Sequence, residues 1–228
     1  MNQRHNRRDH ILQYSGGGII LPWYLSGGVT PANCIAVYQA KGAASYAASL
    51  VNLKTPGTCD LTETNGAVTW DAVNGFQFVA AGTKALDTGI LANGTTSVFV
   101  RFAGAASGCA VGSAVLNAYF LDWPKTGADY AAYWANAGWT VVSVGGAYAA
   151  GTYCHNAIDI YKNGAFLYNF AGKIWGGISL YALTLGADHT GVGVYDSYFT
   201  GNILACSIYS AALSAPQITA IHTAISAL

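Results

Sequence analysis

From Cys34 onward the chain is built of short stretches in which apolar and polar residues alternate, separated by turns rich in Gly and Asn. In "TSVFVRF" (96–102) Val98 and Val100 take one face and Phe99 and Arg101 the other, the period of two that a strand imposes. "AIDIYKNGAFLYNF" (157–170) predicts a hairpin, because Asn163-Gly164 joins two alternating runs and this pair tolerates the positive φ of a tight type I′ turn. Asn65-Gly66 and Asn74-Gly75 repeat that signal within "TNGAVTWDAVNGFQFVAAGTKALDTGI" (64–90), which predicts two strands and their turns, with Asp87 anchoring a turn. "LYALTLGAD" (180–188) and "GNILACSIYS" (201–210) predict two more. The period changes at the carboxyl end, where "SAPQITAIHTAISAL" (214–228) spaces Ile218, Ile221, Ile225 and Leu228 as a helix does. Ser214 and Gln217 stand in capping-box relation, with Pro216 in the first turn. The pattern is that of an all-β antiparallel sandwich of two sheets, closed by a short terminal helix over 214–228.

Residues 1–33 follow a different rule. "SGGG" and "SGG" flank the apolar run "IILPWYL", so this stretch reads as an amino-terminal arm with flexible joints, set apart from a sandwich domain at 34–228. Ile19, Ile20, Leu21, Trp23 and Tyr24 need burial, either on their own domain or on a neighbour, and are the candidate assembly residues. Arginines ahead of that run imitate a secretory signal, but Gly16 to Gly18 and Pro22 interrupt it, so the expectation is a protein made in the cytoplasm without a cleaved leader. No run reaches the ~18 apolar residues of a membrane span, so no membrane partner is expected.

Composition changes the picture by what it withholds. Charged residues make up 9% of the chain and hydrophobic ones 53%, against roughly a quarter charged in an ordinary domain. A surface of Ser, Thr, Asn, Gln and Tyr suits either a sugar-binding face or burial against copies of the same chain. The formal net charge is zero, which argues against a nucleic-acid partner, since such proteins need a basic face for phosphates. Cys34, Cys59, Cys109, Cys154 and Cys206 are widely spaced and lack every zinc or haem spacing, so buried thiols are expected.

Catalytic chemistry finds little support. Glycoside hydrolysis needs two positioned carboxylates, yet the only glutamate is Glu63 in "TETNG", and the aspartates from Asp60 to Asp196 form no recognisable pair. Cys154-His155 juxtaposes a thiol and an imidazole in sequence, but neighbours on a strand point to opposite faces. "GVGVYD" (191–196) precedes no helix and is no dinucleotide loop. The chain is therefore expected to be no enzyme and to need no cofactor. Aromatic residues are abundant: "FLDWPKTGADYAAYWANAGW" (120–139) concentrates rings beside small and amide residues, and Asp122, Trp123, Tyr130 and Trp134 are the candidate glycan contacts.

The order of elements resembles a known family. Asp87-Thr88-Gly89, Asn163-Gly164, Leu185-Gly186-Ala187-Asp188, Phe199-Thr200-Gly201, Ile208-Tyr209 and Ala212-Leu213-Ser214 match the motifs of concanavalin A-like jelly rolls of the laminin-G-like, pentraxin-related kind. The resemblance covers 34–228 and implies a jelly-roll sandwich. Many relatives bind calcium; here Leu204 and Ala205 stand where the family commonly has an acidic pair, leaving Asp87 and Asp188 as calcium candidates, short of the about six to eight oxygens such an ion takes. The arm, together with "YQAKGAASYAASLVNLKTPGT", is also similar to uncharacterised proteins of tailed phages and prophages. That similarity implies a structural or adhesion subunit of a virion or extracellular surface assembly, self-associating through its arm and touching other assembly proteins and host glycans. The alternative is a lectin-like carbohydrate-binding module.

Overall fold

The computed structural model describes residues 13–15, 18–79, 82–113, 119–122, 130–135, 138–143, 150–170 and 178–228, with side chains described at 21–79, 82–104, 107–113, 150–170 and 178–228. Two antiparallel sheets face each other. The first runs, in spatial order, Ala165–Asn169, Asp159–Lys162, Gly151–Asn156, Ser97–Ser107, Thr200–Tyr209, Gly75–Phe78 and Thr69–Asp71, with Cys34–Gln39 also paired to Thr200–Tyr209. The second runs Gly138–Ser143, Tyr130–Ala135, Tyr119–Asp122, Cys109–Ser113, Thr184–Leu185, Ala85–Asp87 and Thr62–Thr64. We call them the helix-side sheet and the open sheet. The chain passes from one to the other at Gly108, whose φ is +77° and where a Cβ would lie 2.1 Å from the Tyr198 carbonyl oxygen.

Alternation decides which residues enter the core. Val98, Val100 and Phe102 point between the sheets, where they meet Leu86, Val111 and Leu185 from the open sheet. Phe102 stacks on Tyr153 with centroids 4.8 Å apart and packs edge-on against Phe199. Phe99, Cys154, Tyr161 and Tyr209 point the other way and form a second cluster with Ile218 and Ile221. Along Thr200–Tyr209 a register shift between Ile203 and Ala205 lets Ile203, Cys206 and Ile208 all reach the inter-sheet core.

The helix Ala215–Ser226 lies on the outer face of the helix-side sheet and buries Ile218, Ile221 and Ile225, three of the four predicted stripe positions, while Leu228 lies past its end and is half-buried. Gln217 Oε1 accepts the Ser214 N–H at 2.9 Å, the reach-back of the capping box. Residues 23–29 complete this layer. Tyr24, Leu25 and Val29 are buried in the second cluster, Tyr209 donates its hydroxyl to the Tyr24 carbonyl (2.8 Å), and Trp23 donates its indole N–H to Gln39 (3.0 Å). Trp23 and Tyr24 thus spend their apolar surface on their own domain, and residues 23–29 pack as part of the sandwich; Leu21 stays 48% exposed. Ile19 and Ile20 belong to the strand Gly18–Ile20, and their side chains lie outside the described residues.

The stretch 64–90 departs from the expected two strands. It contributes to four, Thr62–Thr64 and Ala85–Asp87 in the open sheet, Thr69–Asp71 and Gly75–Phe78 in the other. Asn65-Gly66 does take positive φ, 57° and 97°. It carries the chain between sheets, however, because Thr62–Thr64 finds its partner in Ala85–Asp87 and not in the next strand. Similarly, "LYALTLGAD" yields only the two-residue strand Thr184–Leu185 before the chain turns at Gly186.

Candidate functional site

On the open sheet Leu86, Val111 and Leu185 face the core, so their neighbours Asp87, Gly112 and Thr184 face outward. The register aligns Gly112, Thr184, Asp87 and Thr62 in one row across four strands. A two-stranded ribbon, Asp188–Gly191 and Val194–Asp196, turns at Gly193 (φ +67°) and lies over that row. Gly112 permits the approach: a Cβ there would lie 2.1 Å from the Asp188 carboxylate oxygen. His189, on the opposite face of its strand from Asp188, brings Nδ1 to 3.8 Å from Asp87 Oδ2 and 3.2 Å from the Ala182 carbonyl oxygen.

Between this ribbon and the sheet edge runs an open groove of about 680 Å³, lined by residues that include Asp60, Thr62, Glu63, Asn65, Asp87 and Tyr195. Its acidic walls are held from behind. Asp60 accepts the backbone N–H of Asn52 (2.8 Å) and of Gly57 (3.1 and 3.2 Å), while Asp87 accepts that of Gly89 (2.7 Å). Glu63 acts on Tyr46, whose phenol accepts the Val68 N–H at 3.0 Å. Burial, then the Glu63 carboxylate, pushes the Tyr46 phenol up to about 12. Tyr195 is fixed by stacking: its ring lies 4.6 Å from the His189 ring, which is 4.8 Å from Tyr181 on its other side. Burial first, then the Asp87 charge, raises the Tyr195 phenol above its ordinary range. The result is a preorganised row of carboxylate and hydroxyl acceptors beside one aromatic ring, suited to a ligand rich in hydroxyl donors.

The sequence-derived candidates scatter around this site. Asp87 lines the groove. Asp188 lies beneath the ribbon against Gly112, while the adjacent His189 is the one that faces Asp87. Among the described residues no three His, Cys, Asp or Glu converge on a metal position. Asp122 ends the strand Tyr119–Asp122, and Tyr130 and Trp134 lie in Tyr130–Ala135, on the same sheet; their side chains, and Trp123 entirely, lie outside the described residues. Leu204 and Ala205 are buried. Cys154 packs under the helix while His155 faces Phe170, so no thiol–imidazole contact forms across that pair. Residue patterns did not single out His189 or Tyr195. Their signal was the alternation of "HTGVGVYD" around a Val-Gly turn, legible as a ribbon but silent about what it covers.

The architecture places the chain among all-β sandwiches. No protein-family model matches the sequence, and comparison with curated proteins finds no match. Solved structures share the fold. One is domain 4 of AbnA, a GH43 extracellular arabinanase from Geobacillus stearothermophilus, in complex with arabinotriose: 16% identical, TM-score 0.56, covering 83% of this chain and 98% of that domain. Another is the Trypanosoma rangeli sialidase in complex with sialic acid: 11% identical, TM-score 0.52, covering 84% of this chain and 33% of that one. This chain thus corresponds to about a third of the sialidase, and at these identities the likeness is one of fold.

Proposed function

We propose that this chain is a non-catalytic carbohydrate-binding module that holds a saccharide in the groove between the ribbon 188–196 and the strands Thr62–Thr64 and Ala85–Asp87. The observation that carries the reading is the groove itself: an open trough whose wall presents the His189-backed Tyr195 ring beside the Asp87 carboxylate. An aromatic face covers the apolar C–H side of a sugar while fixed acceptors take its hydroxyls. Support comes from the shared fold with an arabinanase domain solved with arabinotriose. A non-catalytic role is supported by the scarcity of acid–base groups, since Glu63 is the single glutamate of the chain and the aspartates form no recognisable pair in sequence. Assembly through the amino-terminal arm is the weaker reading, because Trp23 and Tyr24 are already packed on their own domain.

The test is isothermal titration of the full chain against arabinotriose and other neutral oligosaccharides, beside Tyr195→Ala. Affinity for the best probe should fall about tenfold or more, roughly 1.4 kcal/mol, with an unchanged circular dichroism spectrum. Unaltered affinity in Tyr195→Ala would move sugar binding away from this groove.

A further inference from the structure

Among the described residues the groove carries charge of one sign. Asp60, Glu63 and Asp87 all line it, and no lysine, arginine or histidine stands among the described lining residues. Two of these carboxylates have little freedom to swing aside, since backbone N–H groups hold Asp60 and Asp87. Their field reaches the ring that a sugar would meet: the Asp87 charge helps to raise the Tyr195 phenol. His189 touches Asp87, but it is buried between Tyr181 and Tyr195, behind the wall.

We infer that the groove selects uncharged oligosaccharides and excludes acidic sugars, with Asp87 and Glu63 as the residues that set the choice. This rests on the carbohydrate reading proposed above and adds its ligand class. A neutral sugar offers hydroxyl donors to fixed carboxylates, forming charge-assisted bonds. A uronic or sialic acid brings a second anion to the same oxygens, and in an open groove that repulsion at ~4 Å amounts to about tenfold or more in affinity. One set of side chains therefore attracts one class and repels the other. Because the groove is open to solvent, the discrimination is salt-sensitive, with a screening length of about 10 Å at 0.1 M.

The experiment presents the full chain with matched probes on a glycan array and by titration: galactotriose against trigalacturonic acid, and lactose against sialyllactose, with arabinotriose as a further neutral probe. Each runs at low salt and at high salt. The expected result is that at least one neutral probe binds, that its acidic counterpart binds about tenfold more weakly or worse, and that the gap narrows in high salt. Asp87→Asn should narrow the gap at low salt. Glu63→Gln, at an exposed position, is the second variant should Asp87→Asn perturb folding. An acidic probe binding as tightly as its neutral partner would overturn the charge selection and leave carbohydrate binding standing. Failure of every probe, neutral and acidic, would overturn both readings.

Discussion

Cys154 and His155 show how much one step along a strand decides. Adjacent in sequence, they face different layers, Cys154 under the helix and His155 beside Phe170. Burial pushes the Cys154 thiol well above its ordinary value, which leaves no thiolate for chemistry, and lowers His155 from 6.5 to about 3. The sign of the pH effect follows. Between those values the unfolded chain binds a proton that the folded chain does not, so stability is lost as pH falls from about 6.5 toward 3. Urea unfolding at pH 7 and pH 5 should show a loss on the order of 2 kcal/mol from this group. His155→Phe should show a correspondingly smaller loss, and equal losses would dissociate the acid sensitivity from His155. The sequence made the opposite facing legible, because period two is local. It said nothing of depth, which depends on Phe170 and on the sheets around it.

At the scale of elements, the two best-marked segments meet each other. Asn163 and Gly164 adopt φ of 51° and 78°, the tight turn that their residue types predict. Asn163 Oδ1 accepts the Thr152 N–H at 3.0 Å, and Gly164 sits so close to the helix that a Cβ would lie 2.9 Å from the His222 ring. Glycine there serves both the turn and the packing. The helix contributes Ile218, Ile221 and Ile225, all fully buried. Ile221→Ala should cost about 2–5 kcal/mol in denaturant unfolding, whereas a change under 1 kcal/mol would mean that the helix is only loosely held. The stripe was legible because helical spacing needs no knowledge of a partner. The strands of 64–90 were not, since Asn-Gly marks a reversal without saying which strand receives the chain.

For the molecule as a whole, the helix-side sheet is covered on both faces, by the open sheet within and by the helix with residues 23–29 outside. Asn156 ties that outer layer down: its Oδ1 accepts from Ser97 Oγ (2.7 Å) and the Leu213 N–H (2.6 Å), and its Nδ2 donates to the Leu213 carbonyl (3.0 Å). A chain starting at Cys34 would lose Tyr24, Leu25 and Val29 from the second cluster. It should be less stable by about 5 kcal/mol or more, at roughly 1.5–3 kcal/mol per buried side chain, and should bind the dye ANS at the uncovered face. Full stability in the shortened chain would show that the segment 23–29 contributes nothing to the fold.

Taken by itself, the sequence determined the all-β class, the Asn163-Gly164 hairpin and the carboxyl-terminal helix, because each is written in the spacing of residues within about a dozen positions. Tertiary structure decided the groove. Thr62–Thr64 beside Ala85–Asp87, and the ribbon 188–196 above them, are joined by contacts such as His189 Nδ1 to Asp87 Oδ2, 3.8 Å apart, between residues far separated in sequence. No local period records such a pairing. It arises when two sheets bury one core, and only that burial brings Asp87, Glu63 and Tyr195 to the same trough.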